Sequence, residues 1–336
     1  MEKTTKILLG HGSGGRLTHN FIQSTLLKKF DNPILSELAD SAVIDYQEKI
    51  AFTTDSFVVS PLFFPGGDIG KLAVTGTIND LVMLGALPEY ISLALIIEEG
   101  LEISILEKII DSISSYAKAA AVKVVTGDTK VVEKLAADKL FINTSGIGRL
   151  LTSRKLSVKN ISCQDKIIIT GNIAEHGFSV LAKRKELDLK LNIKSDCASL
   201  NGLILPLLEK TTGIKFMRDP TRGGIATTLN EIAEASNLGI FIDEKNIPVS
   251  KKIKAVSELL GIDSLYVANE GKALLVVVPE EADKVIRLLR RHPLGKNAEI
   301  IGTVVKKPAG RVILRTVFNT ERILDMLTSE PLPRIC

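Results

Sequence analysis

Cysteine is scarce in this chain: only Cys163, Cys197 and Cys336 occur in 336 residues. None stands at CxxC spacing and no histidine lies at zinc-finger distance. That excludes a disulfide framework and a structural zinc site, and it points to a reducing compartment. Long apolar runs are missing too. No uncharged stretch reaches the ~18–20 residues that cross a bilayer, and the opening MEKTTKILLGHG lacks the apolar core of a signal peptide. The expectation is a cytoplasmic protein with no membrane partner. Basic clusters are absent as well: the net charge of +4 is spread along the chain, whereas a nucleic-acid partner calls for a Lys/Arg stripe. There is no internal repeat and no low-complexity segment. Cys336 is no prenylation signal either, because that needs a cysteine four residues from the end.

What remains is the composition of an ordinary globular protein, 45% apolar and 24% charged, long enough for two domains with separate cores. Strand-like and helix-like patterns alternate throughout, which predicts an α/β or α+β protein. The spacing predicts a helix over Leu17–Phe30, strands over Ala42–Tyr46 and Lys49–Thr54, and a mostly apolar helix over Ile69–Leu84. A strand (Tyr90–Ile97), an amphipathic helix (Ile103–Ala119) and the strands Val122–Thr126 and Phe141–Leu150 close the first half. The polar stretch Thr152–Asp165 marks a boundary. A second series of elements follows, from Lys166–Thr170 to Arg311–Arg315, with helices near Glu175–Lys185, Leu200–Lys210, Gly224–Ser236 and Glu281–Arg290. The expected division is 1–155, 156–325 and a tail, 326–336, whose two prolines and lack of periodicity predict an extended, mobile segment.

Several carboxylates sit where carboxylates are costly. Asp80 lies in the apolar run Ile78-Asn-Asp-Leu-Val-Met-Leu, and a buried unpaired carboxylate there needs a cation, donors or access to a cleft. Asp55 ends the strand IAFTTD, Asp128 follows VKVVTG, Asp40 precedes AVIDY, and Asp219 lies in the turn RDPTRGG. Strand ends are where open sheets place ligand-binding groups. Taken singly, each aspartate reads equally well as a turn or cap residue. As a set they suit a nucleotide triphosphate held through magnesium, a hard ion that takes one or two carboxylates and completes its shell with phosphates.

Gly10, Gly12 and Gly15 match GxGxxG spacing, but the strand before them is short and no βαβ unit follows, so a dinucleotide reading is weak. Two readings stay open for this loop: a hinge, or backbone N–H groups, with Gly12 and Gly14 as candidates, that approach phosphate. RDPTRGG leads into a helix whose N-terminus attracts anions, and Arg218 and Arg222 add charge there. Cys336, alone, is an incidental residue; at the end of a flexible arm it also resembles a carrier thiol.

Together these segments resemble the HypE family of hydrogenase maturation factors, within the superfamily of aminoimidazole ribonucleotide synthetase, selenophosphate synthetase and thiamine-monophosphate kinase. The matching stretches are HGSGG (11–15), TTDSFVVSPLFFPGGDIGKLAVTGTINDLVMLGALP (53–88), GDTKVV (127–132), RDPTRGG (218–224), ANEG (268–271) and PRIC (333–336). The resemblance implies a two-domain PurM-like fold: an N-terminal domain that forms a β-barrel across a homodimer, and a C-terminal α/β sandwich. It implies ATP and Mg2+ as cofactors, with Asp40, Asp55, Asp80 and Asp219 on the metal and Asn79, Asp128, Gly12 and Gly14 supporting the nucleotide. It further implies that the carbamoyltransferase HypF loads Cys336 with a carbamoyl group. ATP then drives its dehydration to a thiocyanate, with Glu270 as base and Lys130 stabilising negative charge, and the cyanide passes to iron on HypC–HypD for NiFe hydrogenase. The residue-level alternatives are an ordinary turn carboxylate for Glu270 and a solvated Lys130. PLFFPGG reads as a lid or, better, as a loop in the dimer core, since exposed Phe is normally avoided. Two other functions compete: a synthetase or kinase acting on a free small molecule, which does not need Cys336, and a non-catalytic scaffold, which turns over no nucleotide.

Overall fold

IAFTTDSF alternates as a strand must: in β1 (Ile50–Phe57), Ala51, Thr53, Asp55 and Phe57 turn inward while Ile50, Phe52, Thr54 and Ser56 face out. The structure is a computed structural model that describes residues 6–8, 21–30, 32, 46–151, 156–184, 192–326 and 334–335. After β1 come a two-residue hairpin, β2 (Phe63–Phe64) and β3 (Gly67–Asp68), and then helix α1 (Ile69–Met83). Strand β4 (Ala86–Glu98), helix α2 (Ile103–Ala119), and strands β5 (Lys123–Val132) and β6 (Leu140–Leu150) complete the first half. The sheet order is β1-β6-β4-β5, with only the β4–β5 pair parallel. Both β1 and β5 are therefore edges among the described residues.

Helix α1 is apolar all round, which is the signature of a helix buried on every side. Every residue in it is buried except Lys71 and Asp80. Asp68 starts it: its carboxylate accepts from the N–H groups of Gly70 (2.8 Å) and Lys71 (3.0 Å), as an N-cap does. Strand β5 runs six residues past the predicted Thr126. Its parallel pairing with β4 continues to Glu98↔Val132, and ladder hydrogen bonds override the low strand propensity of Gly-Asp.

The second half is a seven-stranded sheet with helices packed on it. Its elements are β7 (Lys166–Ile169), α3 (Glu175–Lys183), α4 (Asn201–Lys210), β8 (Ile214–Arg218), α5 (Gly224–Ser236) and β9 (Gly239–Asp243). Then follow α6 (Lys251–Leu260), β10 (Leu274–Val277), α7 (Pro279–Leu289), β11 (Glu299–Val305), β12 (Val312–Arg315) and β13 (Glu321–Ile323). The order is β13-β12-β9-β11-β7-β10-β8. Strand β10 is buried on both faces, so LLVV has no polar alternation.

Asn79 joins the two halves. Its amide donates to the carbonyls of Ala198 (3.1 Å) and Glu270 (3.3 Å) and accepts from the N–H of Leu200 (2.9 Å). The hairpin beyond β1 makes a second seam: the Pro65 carbonyl accepts from Ser195 N–H (2.8 Å) and Ser179 Oγ (2.7 Å). Within the chain PLFFPGG is an inter-domain hairpin, with buried Phe64 set edge-on against His176.

Of the expected tail, Met326, Arg334 and Ile335 are described. Arg334 and Ile335 are docked: the Arg334 side chain reaches Asp138 (2.7 Å) and the Val58 carbonyl (3.1 Å). The Arg334 carbonyl accepts from Ser60 N–H (3.2 Å) and Arg184 Nη2 (3.0 Å). Ile335 is 1% exposed. Among the described residues no helix is long and apolar enough to cross a membrane.

Candidate active site

Period-two geometry brings Asp55 to the inner face of β1, against α1. One turn along that helix, Thr53 Oγ1 donates to Asp80 Oδ2 at 2.7 Å. Gly76, one helical turn before Asp80, faces the Phe57 ring and Asp55 Oδ2. From the other domain comes the turn after β8. There Gly223 and Gly224 adopt left-handed conformations (φ 72° and 59°), which glycine adopts without strain. A Cβ on Gly224 would meet the carbonyls of Leu265 and Val267 at 2.5 and 2.7 Å. This turn sets Asp219, Thr221 and Arg222 opposite Asp55 and Asp80. Glu270 closes the floor of the resulting cleft of about 290 Å³. Gly271 beside it is obligatory, because a Cβ there would fall 1.9 Å from the Asp196 carbonyl oxygen.

The cleft is electrostatically unfinished. Burial raises the pKa of Asp55, and Asp80 adds to it, against the Ser56 N–H and Arg222. Asp80 is raised by burial and partly relieved by Thr53 and Arg218. Asp219 is pushed up to about 7, first by burial and then by the charge of Asp80. Glu270 is raised furthest, by burial and then by Asp219, Asp196, Asp55 and Asp80. Its Oε1 is buried with no hydrogen-bond partner. Carboxylates crowded in this way hold protons or attract cations.

These groups fit a divalent hard cation. Among the described residues no three potential ligands form a ready-made cage. In the protein without ligands the sign of the linkage is unusual. A carboxyl whose folded pKa lies above its unfolded value stabilises the fold fully below ~3.9 and loses that contribution as pH rises through about 7. The wild type should therefore lose stability relative to Asp219→Asn between pH 5 and 8, on the order of 2 kcal/mol. Urea midpoints at both pH values measure this, and parallel curves would contradict it. Neutral buried His176 and the depressed Glu98 and Glu281 act the same way in both proteins and cancel.

The structure brings Asp55, Asp80, Asp219 and Glu270 together. Asn79 sits beside them but spends its side chain on the domain seam. Asp128 and Lys130 do not join the cleft within one chain: Asp128 is in register with Ala94, Asn143 and Ser56 across the sheet, three strand spacings or roughly 14 Å from β1. Both are exposed on the open sheet face. Arg218 pairs with Glu231 (3.1 Å), whereas Arg222 lines the cleft. Gly12, Gly14, Asp40 and Cys336 lie outside the described residues.

Sequence reasoning missed the support beneath Glu270. Asp196 Oδ1 accepts from the Glu270 N–H (3.2 Å), and Asp196 Oδ2 pairs with buried Lys272 (3.1 Å). The usable signal was Lys272 itself, a lysine immediately after ANEG and before an apolar strand.

Fold and cleft together define the class. Residues 38–150 match the N-terminal domain and 164–315 the C-terminal domain of AIR synthase related proteins, so the chain is a two-domain protein of that type. Carbamoyl dehydratase HypE of Cupriavidus necator is 43% identical over 99% of this chain and 96% of its own. A crystal structure of hydrogenase maturation protein HypE in complex with ATP superposes with a TM-score of 0.94 at 45% identity, over 98% of this chain and 99% of that one. A crystal structure of a HypE–HypF complex matches at 46% identity and TM-score 0.80, over 91% and 99%. The chain belongs to the HypE family of carbamoyl dehydratases.

Proposed function

We propose that this chain uses ATP to dehydrate an S-carboxamide on Cys336 to a thiocyanate, the source of cyanide for the iron of NiFe hydrogenase. One observation carries the reading: the described end of the tail is docked at the domain junction that also holds the acidic cleft. The amide oxygen attacks the γ-phosphorus, forming an O–P bond as the β–γ bridge breaks and one N–H proton leaves. The second N–H proton then departs, the C–O bond breaks, and phosphate leaves behind a C≡N triple bond. Glu270, which lines the cleft and whose buried Oε1 has no hydrogen-bond partner, is the base for these protons. When bound, magnesium supplies charge neutralisation at the phosphates. Asp55, Asp80 and Asp219 would hold it, with Asp40 in support.

A homodimer completes the assignment of Asp128 and Lys130. The open sheet face exposes Phe52 (65%), Ile50 and Ile96 beside two edges that no strand among the described residues pairs, an arrangement that calls for cover. A second copy there would set the β5 edge, with Asp128 and Lys130, beside the β1 edge of its mate. HypF as the loader and HypC–HypD as the acceptor follow from the family chemistry. The unbridged Cys163 and Cys197 fit a reducing cytoplasm.

Cys336→Ala tests the reading against a free-substrate kinase. The variant should bind magnesium-ATP within about twofold of wild type and yield no cyanide group with HypF present. Full dehydration by this variant would overturn the carrier mechanism.

A further inference from the structure

Buried His176 belongs to no part of the cleft, yet both its ring nitrogens are engaged. Nε2 lies 2.9 Å from the Ile335 carbonyl and Nδ1 lies 2.8 Å from Ser195 Oγ. A carbonyl only accepts, so Nε2 carries the proton and Nδ1 accepts from the serine hydroxyl. Ser195 Oγ in turn accepts from Cys197 N–H at 3.0 Å. Donation therefore runs in one direction, from Cys197 through Ser195 and His176 to the tail. Burial lowers the pKa of the ring and keeps it neutral, and the edge of Phe64 fixes its plane.

The segment that orients this ring also brackets the candidate base. Asp196 holds the Glu270 N–H, and the Glu270 carbonyl accepts from Ala198 N–H (3.4 Å). The carbonyl gripped by His176 belongs to the planar peptide unit that joins Ile335 to Cys336. We infer that His176 is a positioning residue for the dehydration. By donating to the Ile335 carbonyl while Ser195 fixes its other nitrogen, it holds the residue before the carrier cysteine against the segment that supports Glu270. This rests on the function proposed above. Arg334, through Asp138 and Arg184, anchors the tail, and His176 sets its last peptide.

The test uses full-length protein in three variants. His176→Phe keeps the ring volume and loses both hydrogen bonds, His176→Ala loses volume as well, and His176→Gln restores a donor and an acceptor. Two readouts are taken: alkylation of Cys336 by iodoacetamide, followed at the terminal peptide, and single-turnover water loss from carbamoylated protein at saturating magnesium-ATP. His176→Phe and His176→Ala should alkylate about 10-fold faster, as two lost hydrogen bonds imply. They should lose water on the order of 100-fold more slowly, as a displaced reacting group implies. ATP affinity should stay within about twofold, and His176→Gln should recover both rates to within about threefold. If His176→Phe matches wild type in either readout, or His176→Gln is as impaired as His176→Phe, His176 does not position the tail. Absence of water loss from the wild type would instead defeat the function it rests on, while the alkylation comparison would still judge the grip of His176 on the tail.

Discussion

Replacing Asp80 by asparagine is expected to weaken magnesium-ATP binding on the order of 100-fold, about 2.7 kcal/mol, while leaving the protein without nucleotide as stable as before or more so. The two signs come from one cause. In the free protein Asp80 is a half-buried carboxylate whose pKa burial has raised, and its charge adds to the burial that pushes Asp219 up to about 7. An asparagine removes that repulsion, and its carbonyl oxygen still accepts the 2.7 Å hydrogen bond from Thr53. What it cannot do is ligate a hard cation as an anion. Isothermal titration with magnesium-ATP and a thermal melt of the same sample separate the effects. A scaffold that never uses nucleotide would show neither the loss of affinity nor the opposed signs. A carboxylate serving only structure would lose stability instead.

Glu270→Gln is expected to slow water loss from the carbamoylated tail by 10²–10⁴-fold, the range of a lost general base. Nucleotide affinity should stay within about threefold, since Glu270 forms the floor of the cleft and is not a proposed metal ligand. Glutamine has the same shape, and the main-chain bonds of Glu270 to Asp196, Ala198 and Asn79 need no carboxylate. The fold should therefore survive. Burial first, and then crowding by Asp219, Asp196, Asp55 and Asp80, raise the pKa of Glu270, so the wild-type rate should climb with pH through that raised pKa. The climb should vanish in the variant. Single-turnover mass spectrometry across pH reads both. An unchanged profile in Glu270→Gln would assign proton removal to another group.

Helices with one apolar face are legible in the sequence, Ile103–Ala119 and Gly224–Ser236 ending where their periodicity ends, and so is the apolar run of Ile69–Met83. Two short strands and one short helix are not. β8 (IKFMR) is an edge strand whose charges interrupt its alternation, and the five residues of β9 are pinned by β11 and β12 rather than by their own pattern. In α6 only Ile253 and Val256 are buried, too few to mark a face. The cleft carboxylates were legible because each is expensive in its own setting. Their meeting was not, since Asp55 and Asp219 are joined only by the packing of two domains. Asn79 shows the limit of a motif: it adjoins Asp80 in sequence, yet its side chain clamps the domain seam. Asp128 and Lys130 mark another limit, because sheet order places β5 at the far edge from β1. The docking of Arg334 and Ile335 leaves no trace in the sequence, because their contacts with Asp138, Arg184 and His176 are all long-range.

The most direct test is intact-mass analysis of this protein after HypF-dependent carbamoylation, before and after magnesium-ATP. The account predicts that the C-terminal peptide loses the mass of one water, with one ATP consumed and the change confined to Cys336. A terminal peptide that keeps its full carbamoyl mass while ATP is hydrolysed, or that never becomes modified, would contradict it.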